Sequence, residues 1–182
     1  MIRIRPAEPM DAATIADIHI KSWRAQFTPF LTPEQVSLKN LDQHDICLQW
    51  QARVVAEEGQ RRHTFIACDG TVPVGYITGR TQSPKAGYSS ELDQIYVLAN
   101  HLGQGIGTEM VSQLVARLLT AGHTSMMVWV MTLNPAVRFY RERLGGVYLG
   151  ERVIPDGDGI LKEAGYGWDD MGALRKQLSL IR

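Results

Sequence analysis

A chain of 182 residues carrying 19 Lys plus Arg against 19 Asp plus Glu suits a single domain spanning residues 1–182, able to bury roughly two thirds of its surface. The charge balance gives no electrostatic reason for a nucleic-acid or polyanion partner. Cys47 and Cys68 lack CxxC spacing and follow no secretory segment, and no apolar run approaches bilayer length, so the chain reads as cytoplasmic, with free thiols and no membrane association.

Taken in order, Ile2 and Ile4 alternate with Arg3 and Arg5 in a short strand closed by Pro6. Asp11 then opens a helix with Ala12, Ile15, Ile18 and Ile20 on its apolar side, continued by Trp23 and Phe27 towards Pro29. A helical piece from Thr32 or Pro33 through Leu38 and a longer one from about Leu41 to Glu58, stopped by Gly59, complete an irregular helical cap. Trp23, Arg24, Phe27 and Phe30 in this cap are candidates for substrate contact, although they would serve equally well to close the core. Thr64–Cys68 and Val74–Gly79 read as a hairpin around Asp69-Gly70, with a loop longer than two residues.

The centre of the chain carries the strongest local signal. A β-branched and aromatic run, Ile95 to Leu98, leads into a loop with Gly103, Gly105 and Gly107 at alternate positions. A helix follows at once, with Ile106, Met110, Leu114 and Leu118 recurring every four residues. A helix start exposes N–H groups without intrahelical partners and carries the positive end of the macrodipole, and glycines let an anion approach the backbone. The amides from Gly103 to Thr108 are therefore expected to hold the pyrophosphate of a nucleotide-like cofactor; the alternative is a tight connection with no ligand. Beyond it lie an apolar strand, Met126–Met131, and a helix from Asn134 and Pro135 through Leu144, stopped by Gly145 and Gly146. Two last strands, Val147–Ile154 and Leu161–Trp168, flank a PDGDG loop, and Met171–Leu180 forms a terminal helix. The fold class is α/β: one mixed central sheet of about seven strands with helices on both faces.

Strand, GQGIG loop, long helix, buried strand and then NPAVRFYRERLGG together resemble the GNAT superfamily of acetyl-CoA-dependent N-acetyltransferases, over nearly the whole chain. The loop matches that family's (Gln or Arg)-x-x-Gly-x-(Gly or Ala) motif across Leu102 to Gly107, with Leu102 at the first position. The resemblance implies acetyl-CoA as acetyl donor, held by Gly103, Gln104, Gly105, Ile106, Gly107 and Thr108, and Asn134 as a further cofactor contact. It implies a bulged, splayed central strand, with Ile95, Tyr96 and Val97 against the pantetheine arm. Asn134 lies six residues before Tyr140, where many members have seven. Arg138, Arg141 and Arg143 are candidates for phosphate, with at least two of them expected on the solvated face.

Acetyl transfer to an amine poses three chemical demands. An ammonium of pKa about 8 to 10 must lose a proton, the developing oxyanion needs N–H donors, and the departing thiolate benefits from an acid. Tyr140 suits the last role, a phenol somewhat less acidic than a thiol, and by resemblance it is the family's general acid. For the base, Glu91 and Asp93 open the central strand about 6.6 Å apart on one face. The resemblance favours Glu91, six residues before Val97; Asp93 or a water chain remain the alternatives. Glu91 and Asp93 are polar while Ile95 and Val97 of the same parity are apolar, so a β-bulge between them is expected. The five histidines show no metal-ligating spacing, and no metal is assigned. The expected function is acetyl transfer from acetyl-CoA to a primary amine, a small molecule or a peptide N-terminus. The rivals are a non-catalytic acetyl-CoA sensor and, further off, a dinucleotide-binding enzyme, whose GxGxxG belongs after the first strand. Dimerisation is common in the resembled family, and no stretch here marks a homodimer interface.

Overall fold

The computed structural model describes residues 1–33, 42–56, 62–83, 85–156 and 159–181. Strands β1 (Ile2–Pro6), β2 (Arg62–Asp69), β3 (Val72–Arg80), β4 (Ser90–Val97), β5 (Met126–Met131), β6 (Val147–Asp156) and β7 (Gly159–Trp168) form one seven-stranded sheet in the order β1-β2-β3-β4-β5-β7-β6. Every neighbouring pair is antiparallel except β4 and β5, which run parallel. The helices are α1 (Ala12–Phe27), α2 (Gln43–Ala56), α3 (Ile106–Thr120) and α4 (Met171–Leu180). The helical piece expected up to Leu38 falls mostly outside the described residues, as does the end of the second early helix at Glu58 and Gly59. Among the described residues no helix is long and apolar enough to cross a membrane.

The two faces of the sheet have separate cores. α3 buries Ile106, Met110, Leu114 and Leu118 almost completely against Ile77, Leu92, Met126 and Val128, with Leu174 and Leu178 of α4 in the same cluster. Each such side chain contributes about 1.5–3 kcal/mol through apolar burial. Helix and sheet meet closely at Gly79, where a Cβ would come 2.8 Å from Leu114 Cδ1. On the other face, Ile15 and Ile18 of α1 and Trp50 of α2 pack against Ile66 and Tyr76.

The hairpin turn is tighter than expected: β3 starts at Val72, opposite Asp69, leaving Gly70 and Thr71 as a two-residue loop, with Gly70 at φ +59°. A register shift next to the turn, between Ala67 and Cys68, absorbs the additional residue that the pattern had assigned to the loop. The expected helix from Asn134 to Leu144 is also altered. After a turn at Pro135 and Ala136 it winds into a π-helical turn over Phe139–Arg143, and Leu144 N donates to Phe139 O at 3.0 Å. Gly146 closes it by donating to Tyr140 O at 2.9 Å; a Cβ there would stand 2.9 Å from Trp168.

Two irregularities open the middle of the sheet. Gln94 pairs with Thr78 and Leu92 with Gly79, so Asp93 is an extra residue, the bulge that the parity of the sequence demanded. It lets Leu92 and Ile95 both face α3 although three residues apart. β4 and β5 then pair only at Ser90 with Met126 and Glu91 with Met127, and diverge beyond. Serines fasten the closed end: Ser90 Oγ and Ser89 Oγ donate to Ser125 O at 2.8 and 3.0 Å, and Ser89 N donates to Ser125 Oγ at 3.0 Å.

Candidate active site

A cleft of about 860 Å³ follows the divergence of β4 and β5 on the α3 side, lined by Gly103, Gly105, Ile106, Gly107 and Thr108, by Ile95 and Val97, and by Asn134, Phe139 and Tyr140. Gly105 is the N-cap of α3 at φ +79°, with no side-chain cap, and Gly103 lies at φ +75°. The first helical hydrogen bond that closes over the cap runs from Glu109 N to Gly105 O at 3.0 Å. The earlier amides, Ile106 to Thr108, therefore keep their donors for an anion at the positive end of the helix. At Gly107 a Cβ would reach within 3.4 Å of Phe139 Cζ and 3.8 Å of Ile95 Cδ1, so its hydrogen keeps the cradle wide. These features fit a diphosphate.

Not every loop residue contributes a side chain. Gln104 is absent from the lining of this cleft and reaches back to Asn100 O at 3.3 Å. Of the arginines on the late turn, Arg138 and Arg141 pair with Glu142 in solvent, while Arg143 lines the cleft and donates to Ile181 O at 3.0 Å.

A second cleft of about 220 Å³ opens on the α1 side, lined by Trp23, Phe27, Asp93, Gln94, Tyr96, Trp129 and Glu163. Tyr96, expected beside the pantetheine, faces this side and packs on His19 with ring centroids 5.1 Å apart. Of the four cap residues singled out in the sequence, Trp23 and Phe27 line the second cleft and Phe30 the first; Arg24 lines neither. Gln26, Ile95, Asn134, Ala136 and Tyr140 belong to both linings, so the two clefts meet there.

Tyr140 sits at that junction, 5% exposed. Burial pushes its phenol well above the ordinary value, so it keeps its proton across the neutral range. Asn134 is held in place by its own Oδ1, which accepts from Ala136 N at 2.8 Å.

The three nearby carboxylates differ sharply. Asp93 lines the second cleft, ion-paired with Arg62 and Arg80. Burial opposes its ionisation, yet the two arginines prevail and hold its carboxyl below the usual range. Glu163 also lines the second cleft and binds Arg152 at 2.6 Å, whose guanidinium stacks 4.5 Å over the Trp129 ring. Glu91 is buried and absent from both linings. Its Oε2 lies 3.7 Å from Arg80 Nε and has no hydrogen-bond partner among the described residues. Burial raises its pKa, with Arg80 offsetting part of the effect. Sequence reasoning had no signal for Gln94 or Glu163; each is placed by a bulge or a pairing that local patterning does not encode.

A large cleft ending at a helix start, meeting a smaller polar cleft at Tyr140 and its neighbours across a splayed sheet, is the arrangement expected of an acyl-transfer enzyme. The chain belongs to the acetyltransferase (GNAT) family, whose profile matches residues 17–145. It is 31% identical over 185 aligned positions to the uncharacterized N-acetyltransferase YuaI of Bacillus subtilis (strain 168), covering 98% of this chain and 99% of that one. Among solved structures it resembles the PaiA N-acetyltransferase of Thermoplasma acidophilum, determined with coenzyme A, at TM-score 0.66 and 16% identity over 90% of this chain and 98% of that one. It also resembles YncA of Salmonella typhimurium, a putative acetyltransferase determined with acetyl-CoA, at TM-score 0.65 and 19% identity over 92% and 93% of the two chains.

Proposed function

We propose that this N-acetyltransferase transfers the acetyl group of acetyl-CoA directly to a primary amine, a small molecule or a peptide N-terminus, with Tyr140 as general acid. The observation that carries the reading is the place of Tyr140, in the wall of both the glycine-lined cleft and the smaller polar one. Acetyl-CoA supplies a thioester, an acetyl group bound to a leaving group of thiol acidity. The amides from Gly103 to Thr108 would hold its diphosphate, and Ile95 and Val97 would flank the pantetheine arm. The unpaired edge of β4 beyond Glu91 offers N–H groups to the acetyl carbonyl. Tyr140 holds its proton at Oη, available to the departing sulfur.

Glu91 accepts the amine's proton through water. Its support is a raised pKa, which makes it a better base than Asp93, together with a buried Oε2 that lacks a donor. Asp93 stands in the acceptor cleft itself, but two arginines hold it ionised and leave it a weak base.

The test is thiol release from acetyl-CoA across a panel of amines, for the wild type and Tyr140→Phe. The variant should lose roughly a hundredfold or more in kcat with little change in acetyl-CoA affinity. Equal turnover by the two proteins would remove Tyr140 from the chemistry. Tight acetyl-CoA binding with no release for any amine would instead mark a sensor.

A further inference from the structure

The polar groups of the second cleft are divided between two kinds. Asp93 and Glu163 are carboxylates, suited to the amine end of an acceptor. Gln94 and Trp129 on the same lining present donors. Tyr76, completely buried, donates from Oη to Gln94 Oε1 at 2.8 Å. A phenol has one proton to give, so the 2.7 Å contact between Tyr76 Oη and His19 Nδ1 is a bond donated by the imidazole. Burial first, then Arg53, pushes His19 down to about 4, so the ring is neutral with its proton on Nδ1. The chain His19 to Tyr76 to Gln94 thereby occupies the carbonyl of the Gln94 amide and leaves its NH2 as the group to be satisfied in the cleft. Trp129 lines the same cleft, and its buried indole N–H has no hydrogen-bond partner among the described residues. A buried donor left unpaired costs about 1–3 kcal/mol. A ligand oxygen would satisfy the indole N–H and could accept from the Gln94 NH2 beside it in the lining.

We infer that the acceptor is an α-aminoacyl group, an amino-acid amide or a peptide N-terminus. Its amine lies towards Tyr140 and its carbonyl oxygen accepts from the Gln94 amide NH2, with Trp129 Nε1 as the second donor. This rests on the acetyl-transfer reading and adds the acceptor class to it. The 220 Å³ of this cleft leaves room for one small residue beside Tyr140. Gln94 is the specificity residue, and Tyr76 and His19 position it.

The experiment compares glycinamide with isobutylamine, which replaces the carboxamide by an isopropyl group of similar shape. With kcat/KM referred to the unprotonated fraction of each amine, since an α-amino group and an alkylamine differ by about two pKa units, CoA release by the wild type should favour glycinamide at least tenfold. Gln94→Glu keeps the oxygen that Tyr76 bonds and removes only the NH2, while Gln94→Leu removes both. Both variants should bring the ratio within about threefold of unity, with acetyl-CoA affinity unchanged because Gln94 is absent from the cofactor cleft. Tyr76→Phe should raise KM for glycinamide severalfold, leaving its kcat within about twofold and isobutylamine unaffected. The inference is overturned if the wild type shows no preference, if it prefers isobutylamine, or if Gln94→Glu retains the wild-type ratio. No CoA release with any amine would remove the acetyl-transfer reading and this inference with it, whereas release without discrimination removes this inference alone.

Discussion

Gly105 and Gly107 stand two residues apart in the same cradle, yet alanine should act on them in opposite senses. At Gly105 the backbone has φ +79°, and an added Cβ meets nothing within 4 Å. The cost of Gly105→Ala is therefore conformational, about 1–2 kcal/mol for an L-residue in the left-handed region. For a chain of this length that lowers Tm by roughly 2–8 °C. Gly107 lies inside the first turn of α3 with no positive φ, and its Cβ would sit at ordinary contact distance from Phe139 and Ile95. Gly107→Ala should leave the ligand-free protein unchanged or stabilise it by up to about 0.5–1 kcal/mol, the usual gain from alanine in a helix. Alanine is also the other residue that the family motif accepts at this position, so acetyl-CoA affinity should be kept, whereas Gly107→Glu brings bulk and like charge to the diphosphate and should lower affinity by about tenfold or more, roughly 1.4 kcal/mol. The assay is a melt of each variant with and without acetyl-CoA, paired with calorimetric titration. At one hundred times Kd a ligand adds about 2.7 kcal/mol of stability, so Gly107→Ala should show a normal apo melt with the full ligand shift and Gly107→Glu a diminished one. Wild-type affinity in Gly107→Glu would refute the placement of the diphosphate.

Three further outcomes follow from the titratable groups. Glu91→Gln should depress kcat/KM most at pH above the raised pKa of Glu91, where the wild type holds its base ionised, and the gap should close as pH falls through that value and the wild type loses the base too; an unchanged pH–rate profile would transfer the role to Asp93 or to water alone. Asp93→Asn should destabilise the fold by about 3 kcal/mol, since Arg62 is left with its charge largely buried, and chemical denaturation should detect it. The Asp93 carboxyl is depressed in the fold, so its contribution is present above the unfolded value of about 3.9 and is lost as pH falls towards the lower folded value. Denaturation at pH 7 and pH 3 should accordingly show a smaller gap between Asp93→Asn and wild type at the acidic pH; a constant gap would contradict the ion-pair account.

What the sequence revealed and what it concealed divide along physical lines. The four-residue recurrence from Ile106 to Leu118, the alternate glycines before it and the apolar run Met126–Met131 are local patterns, and each became the element it announced. The parity change between Asp93 and Ile95 disclosed a bulge, and the bulge is there. The π-helical turn around Tyr140 left no trace, because i to i+4 and i to i+5 windings share one pattern of apolar spacing over so few residues. The second cleft was illegible for a different reason. Glu163 reaches it only because β7 inserts between β5 and β6 and sets Glu163 opposite Met131. Gln94 reaches it only because the bulge at Asp93 resets which side chains face α1.

That resetting also explains why the carboxylates behave so differently although two residues separate Glu91 from Asp93. Glu91 belongs to the last rung at which β4 and β5 are still paired, below the divergence and beneath Arg80, where burial dominates its charge. Asp93 is the bulged residue itself, just beyond that rung, where the opening admits Arg62 and Arg80 to its oxygens. The serines at 89, 90 and 125 fix the closed end of the divergence, so they determine on which side of it each carboxylate falls. One backbone irregularity and one hydrogen-bonded clamp thus separate a buried carboxyl of raised pKa from an ion-paired neighbour of lowered pKa. The same divergence leaves the β4 edge unpaired with β5 beyond Glu91. Position along the opening, more than residue type, assigns these side chains their chemistry.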